Sequence, residues 1–328
     1  MHKLTKEKPS VFIEMLRLMK KIRITEETIS SRYSQWQMRC PTHLCSGQEA
    51  IAAAVGIVLR KDDFVVSTHR AHGHYLAKGG SLKKMIAEIH GKAAGCSAGK
   101  GGSMHLIDQS VGFMGSTAIV GGTIPVGVGL GLSIKLHKTD QVSTIFFGDG
   151  AIEEGVFYES ANFAAVKKLP VLFICENNLY SVYSPLSVRQ PEGRKIVDVV
   201  NSIGIVSEHG DGNNVVEVYE KVSQAVDAIR KSGSPRFLEF ETYRWREHCG
   251  PNFDNNIGYR TEEEYQRWKQ RDPIVLFEAA LFANKIISKE DVEKIEIDIQ
   301  KEVDEAFEYA VSSDFPASEK AFSGLYKN

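Results

Sequence analysis

The chain carries no large charge excess: 40 Lys and Arg stand against 42 Asp and Glu, a formal net charge of -2. Neither nucleic acid nor an anionic membrane is therefore expected as a partner. Cysteine is sparse and unpatterned. The five present (Cys40, Cys45, Cys96, Cys175, Cys249) include no C-x-x-C pair, which argues against a disulfide framework or a zinc ribbon and for free thiols in a reducing cytoplasm. The opening residues, M-H-K-L-T-K-E-K-P-S, lack an apolar core, so no export signal is expected there. Long hydrophobic runs are missing too. The longest uncharged stretch, Ser110 to Ile134, has the length of a membrane span but is broken by glycines and Pro125, so it reads as buried backbone. No repeat and no Pro/Gly/Ser linker divides the 328 residues. A single domain, 1–328, is expected, with a helical arm at about 9–37 and a helical C-terminal region at about 261–312.

What is present concentrates between Val142 and Tyr180. Val142–Phe147 is a short apolar run, partly β-branched, and reads as a buried strand. Gly148-Asp149-Gly150 ends it in a sharp turn. Glu153 to Lys167 has apolar residues at helical spacing, Pro170 stops that helix, and Val171–Cys175 forms a second strand. Such a β-α-β unit crosses over right-handed and keeps its strands parallel. Asp149 and Asn177-Asn178 then fall at the C-terminal strand ends, where open α/β sheets hold ligands. The expected fold class is α/β, a mostly parallel sheet flanked by helices, with helical extensions at both ends.

The chemistry of that edge is defined by its donors. Asp149 and Asn178 offer hard oxygens suited to Mg²⁺, and the main-chain carbonyl of Tyr180 can join them. N–H groups at Gly150 and Ala151 suit a phosphate. A strand–turn–helix with a solvated aspartate is the plainer alternative.

G-D-G, then 26 residues, then N-N resembles the thiamin diphosphate motif. The words between, E-E-G-V-F-Y-E-S-A-N-F-A-A-V-K-K-L-P, resemble the alpha subunit of the decarboxylating component of 2-oxo acid dehydrogenases, of pyruvate or acetoin type. The resemblance spans roughly residues 10 to 315. It implies thiamin diphosphate and Mg²⁺ as cofactors, with Asp149, Asn178 and Tyr180 as metal ligands. It also implies a beta subunit that supplies the glutamate activating the pyrimidine ring, in an α₂β₂ assembly, and a lipoyl acyltransferase as a further partner. The implied reaction decarboxylates a 2-oxo acid and passes the acyl group to a lipoyl acceptor. An acetoin-cleaving or transketolase-like enzyme on the same scaffold, or a non-catalytic assembly subunit, remains an alternative.

Other segments extend the resemblance. C-P-T-H-L-C-S-G-Q-E-A implies that His43 lines the active site. In S-T-H-R-A-H-G-H-Y, Arg70 would pair with the cofactor diphosphate, and His72 would sit beside it at the substrate entrance. His69 stands where pyruvate-type relatives carry a phosphate-touching tyrosine, and His74 is closer to acetoin-type relatives. Zinc is not expected there, because no cysteine or acid accompanies these histidines at a recognisable spacing. The five-glycine loop His90 to Leu106 is expected at the active-site mouth, with Lys100 and His105 weakly implicated. Backbone at Ala118 and Val120 would meet the aminopyrimidine ring. G-V-G-L-G nearby lacks the third glycine of a dinucleotide fingerprint (Leu132 stands there) and reads as a closely packed helix.

Near the end, T-Y-R-W-R-E-H-C-G-P places His248 at the family's catalytic histidine. Trp245-Arg246-Glu247 and Pro41 depart from the pyruvate pattern. Cys249 replaces a phosphorylatable serine, so kinase control there is not expected. Arg246 is expected near the substrate, favouring a larger or carboxylate-bearing 2-oxo acid; pairing with Glu247 or a surface acid is the alternative.

Overall fold

Val171–Asn177 is buried at every position, as a strand covered on both faces must be. The computed structural model describes residues 9–38 and 40–324; residues 1–8 of the segment read for an export signal lie outside them. In chain order the elements are α1 (Pro9–Arg32), α2 (Glu49–Val58), β1 (Phe64–Ser67), α3 (His72–Ala77), α4 (Leu82–Ile89), β2 (Phe113–Ser116) and α5 (Thr123–His137). They continue with β3 (Ser143–Gly148), α6 (Gly155–Lys167), β4 (Val171–Asn177), the two-residue strands β5 (Tyr180–Ser181) and β6 (Ser184–Pro185), α7 (Leu186–Arg189) and α8 (Ile196–Ser202). The last are β7 (Val206–Asp211), α9 (Val215–Ser232), β8 (Arg236–Glu241), α10 (Glu262–Lys269), α11 (Pro273–Ala283) and α12 (Lys289–Ser312).

Six strands pair in the order β2-β1-β3-β4-β8-β7, and every pairing among them is parallel. One hydrophobic cluster joins α1, α2, α4, α9, α11 and α12 to one face; a second joins α5, α6 and α8 to the other. The α/β class expected from the sequence is the observed one. In α5 the G-V-G-L-G run does pack closely. A Cβ on Gly127 would stand 2.3 Å from Ile145 Cγ1, and one on Gly131 would stand 2.4 Å from Val171 Cγ2. Ser288 caps α12 through a reciprocal capping box with Asp291.

Three local expectations shift. The strand expected at Ile203–Glu208 begins at Val206, because Ile203 and Ile205 pack into the core beneath α8 while β7 runs half-solvated along the sheet edge. The short strand β2, which contains Gly115, is not signalled by its composition. The helix expected from Glu153 starts at Gly155, after a 3₁₀ turn over Asp149–Glu153. That turn carries the cluster's chemistry.

Candidate active site

The C-terminal ends of β1, β3 and β4 and the loop after β8 surround a cleft of about 160 Å³. His43, His69, Arg70, Ala118, Val120, Asp149, Gly150, Ala151, Asn178, Tyr180 and His248 all line it. Residues from six separate stretches therefore converge on one place, as strand-end sites on parallel sheets do.

One wall centres on a buried, paired carboxylate. Asp149 is 1% exposed; burial raises its carboxyl pKa, and the neighbouring Arg189 opposes that rise. The Arg189 guanidinium donates to Asp149 and, at 2.6 Å, to Glu153. At the end of the neighbouring strand β4 the two asparagines divide their work. Asn177 turns inward, donating to Glu239 at 2.8 Å and accepting from the Leu179 N–H at 3.1 Å. Asn178 faces the cleft, its Oδ1 accepting from the Tyr180 N–H at 3.3 Å. Leu179 (φ 73°) and Val182 (φ 55°) both adopt the left-handed region. For a β-branched residue that conformation is strained, and it reverses the chain so that Tyr180 and Ser181 return to the site.

The opposite wall is basic in composition but largely uncharged near neutral pH. The rings of His43, His69 and His248 lie with centroids 4.7, 5.1 and 5.3 Å apart. Burial first, and Arg70 second, lowers their pKa values to about 2, 3 and 4. Arg70 is fixed behind them, donating to the carbonyls of Leu44 at 2.5 Å and His248 at 3.2 Å. The loop carrying His248 is held by Asp254, which pairs with two buried arginines, Arg244 at 3.3 Å and Arg260.

Several singled-out residues do not reach the cleft. His72 is fully buried between Glu26 (3.1 Å) and Ser103 (2.8 Å), so it ties α1 to the floor of the site and has no face toward a substrate entrance. His74 bridges Ser67 (2.7 Å) and Glu176 (3.2 Å) and stacks on Phe146. It braces a cleft-lining acid from behind. Lys100 donates to the Ser323 carbonyl at 2.5 Å, and His105 is exposed; neither lines the cleft, although their neighbour Met104 does. Arg246 is also engaged elsewhere. It pairs with Glu27, donates to the Pro251 carbonyl at 2.8 Å and covers the Phe253 ring. The surface-acid alternative is the observed one.

The comparisons with known proteins agree with this geometry. The dehydrogenase E1 component family matches residues 17–319. This chain belongs to that family. The pyruvate dehydrogenase E1 component subunit alpha of Rickettsia bellii is 36% identical over 326 residues, covering 99% of both chains. The testis-specific mitochondrial form of that subunit from Rattus norvegicus is 34% identical over 317 residues, 96% of this chain and 79% of its own. The somatic form from Bos taurus is 31% identical over 319 residues, 96% and 80%. This dehydrogenase E1 component is thus an alpha-type subunit, a thiamin diphosphate-dependent oxidoreductase acting on a 2-oxo acid. The resemblance read from G-D-G and N-N is borne out; the acetoin, transketolase and assembly-only readings gain nothing.

The residues present fit the cofactor of a dehydrogenase E1 component. The Arg189 guanidinium stands on Asp149, so the carboxylate accepts a positive charge, and Asn178, following the neighbouring strand, lines the same cleft with its amide. As an opening residue of the 3₁₀ turn, Gly150 has an N–H group without an intrahelical acceptor, as an anion site requires. Sequence reasoning passed over four polar residues of the lining, Gln48, Thr68, Glu176 and Ser181, besides the apolar Met104 and Val182 and the backbone at Gly121. Gln48 and Glu176 sit inside the quoted motifs G-Q-E-A and C-E-N-N, so adjacency was their signal. Arg189 had none, because its partners Asp149 and Glu153 lie 40 and 36 residues away.

Proposed function

We propose that this chain is the alpha half of a two-subunit enzyme in which Asp149, Asn178 and the Tyr180 carbonyl hold Mg²⁺ and the N–H groups of Gly150 and Ala151 hold a diphosphate. The observation that carries the reading is the convergence of these groups with Arg70 and His248 in one cleft of a dehydrogenase E1 component. Thiamin diphosphate, when bound, supplies the electron sink for decarboxylation. The chain's own residues bind and orient. Arg70, pinned by two carbonyls, gives the diphosphate end a fixed positive potential. His43 and His248, neutral near pH 7, present ring nitrogens that can donate or accept hydrogen bonds beside the substrate. Ala118 and Val120 offer backbone at the rim for the pyrimidine ring.

A beta subunit completes the site in this reading and brings the pyrimidine-activating glutamate, giving α₂β₂. The small cleft, about 160 Å³, supports this: pockets that enclose a cofactor-sized ligand hold about 300–1,000 Å³. Ile119 and Val120, 69% and 49% exposed beside the cleft, support it further. A lipoyl acyltransferase receives the acyl group. Pyruvate is the first substrate to test, because the relatives above carry that name and Arg246 is not free to select a larger acid. Residues 1–328 act as one domain, which the shared packing of α1, α4 and α12 supports. The free thiols and the bacterial relative support a cytoplasmic location in this reading.

The test is co-expression with the beta subunit of the same organism, followed by assay of 2-oxo acid decarboxylation and lipoyl acylation with and without Mg²⁺ and thiamin diphosphate. Turnover is expected only from the two-chain complex with both cofactors. Full turnover by the alpha chain alone would falsify the half-enzyme reading.

A further inference from the structure

Three of the cleft's histidines are arranged as metal ligands are. One ring nitrogen each from His43, His69 and His248 lies within 4.8 Å of the other two. Their state differs from that of the neighbouring histidines. His72 and His74 have both ring nitrogens engaged by Glu26 and Ser103 or by Ser67 and Glu176. His43, 7% exposed, has its Nδ1 buried with no hydrogen-bond partner. His69 and His248, half-buried, flank His43 edge-on. A buried imidazole nitrogen without a partner is costly, and it leaves His43 with ring-nitrogen capacity that the histidines tied to Glu26 or Glu176 lack.

We propose that His43, His69 and His248 form a three-imidazole site for a divalent transition metal, Zn²⁺ in particular, on the wall of the cleft opposite Asp149. Imidazole nitrogens suit zinc, and three protein ligands with one open position is the arrangement of sites that keep zinc accessible. Zinc–nitrogen bonds of about 2.0–2.1 Å set ligand nitrogens about 3.3 Å apart in a tetrahedron. Ring rotations of roughly an ångström therefore close the present triangle. Arg70 and Arg244 repel a dication here, while Asp254 opposes them at His248. The open position faces the cleft and takes water or an anionic oxygen. Hard ligands for Mg²⁺ and borderline ligands for Zn²⁺ thus stand on facing walls of one cavity. On the function proposed above, zinc on this wall withholds His43 and His248 from substrate, so the metal acts as a reversible stop.

The experiment uses the full chain, freed of metal by a chelator and titrated with Zn²⁺ against a chromophoric indicator, with Co²⁺ as the spectroscopic probe. One Zn²⁺ per chain is expected, with Co²⁺ absorption characteristic of a four-coordinate nitrogen site. His69→Phe, His43→Gln and His248→Gln are each expected to weaken Zn²⁺ binding at least about 100-fold, more than loss of an outer-shell partner costs. Variants are compared only where their metal-free melting curves match the parent, so one misfolded variant leaves two tests standing. Asp149→Asn is expected to keep Zn²⁺ affinity within about threefold while losing Mg²⁺-dependent thiamin diphosphate binding. Substoichiometric zinc, or zinc binding indifferent to all three histidines, overturns the site. Zinc bound as expected in a parent chain that fails to bind Mg²⁺ and thiamin diphosphate, even with its beta partner, overturns the function proposed above and leaves the site intact.

Discussion

Between Gly91 and Gly102 the backbone closes around a carboxylate of its own chain, whereas between Gly148 and Ala151 it stands open to the cleft. In the first segment Glu88, fully buried, accepts from four N–H groups: Ser97 at 2.7 Å, Gly99 at 2.9 Å, Gly101 at 2.7 Å and Gly102 at 3.2 Å. In the second, the acid belongs to the turn itself and its partner is a mobile type of side chain, Arg189, that reaches in from α7. Both stretches are glycine-rich and both look like anion sites in sequence. A filled nest is architecture. On the function proposed above, the turn beside the paired carboxylate is the binding site.

This contrast can be broken or sharpened by substitution. The largest effect is expected at Glu88. Emptying its nest leaves four buried donors unsatisfied, and Glu88→Ala should cost at least about 4 kcal/mol of stability, read from the shift in urea midpoint. A loss under about 1 kcal/mol would mean that water serves the loop equally well. Asp149→Asn is the counterpart. It should lower affinity for Mg²⁺ and thiamin diphosphate at least about 100-fold by calorimetry, yet change stability by less than about 1 kcal/mol, because the buried carboxyl gives way to a neutral isostere and Arg189 still reaches Glu153. Arg189→Ala removes the surrogate cation. Mg²⁺ alone should then bind about five- to tenfold tighter, the equivalent of one ion pair of roughly 1 kcal/mol; weaker Mg²⁺ binding would show that Arg189 helps to build the metal site.

The smallest effect concerns His90, at the entrance of the closed loop. Burial lowers its pKa, only partly opposed by its hydrogen bond to the Ile86 carbonyl. The unfolded chain therefore binds the proton more readily, and stability falls as pH drops below about 6.5. His90→Gln should lessen, without abolishing, the fall in melting temperature between about pH 6.5 and 5, because His43, His69 and His248 titrate in the same sense. An unchanged slope would place the acid sensitivity elsewhere.

Much of this was legible in the sequence where the signal is local. The strand–turn–helix–strand from Ser143 to Asn177 follows from apolar spacing, one glycine pair and one proline. The capping of α9 by Asn214 and of α12 by Ser288 follows from residue type at a helix start. Cleft residues within those motifs were found, whereas roles that depend on a distant partner were not. His72 and Arg246 both sit in informative words, and both are claimed by acids on α1, Glu26 and Glu27, which lie 46 and 219 residues away. The loop around His248 depends on Asp254 meeting Arg244 and Arg260, a pattern that periodicity does not report.

By itself, then, the sequence determined the parallel α/β frame and the hard oxygen donors of its catalytic edge. Both rest on short-range rules: strand and helix periods, turn residues, and ligand hardness. The tertiary structure alone decided which of several charged or glycine-rich stretches faces the cavity. It turned His72 inward, filled one nest with Glu88, set Arg189 against Asp149 and brought three histidines from three loops together. The physical reason is that a side chain's role depends on which partner satisfies it. For buried groups that partner is chosen by packing between segments far apart in the chain.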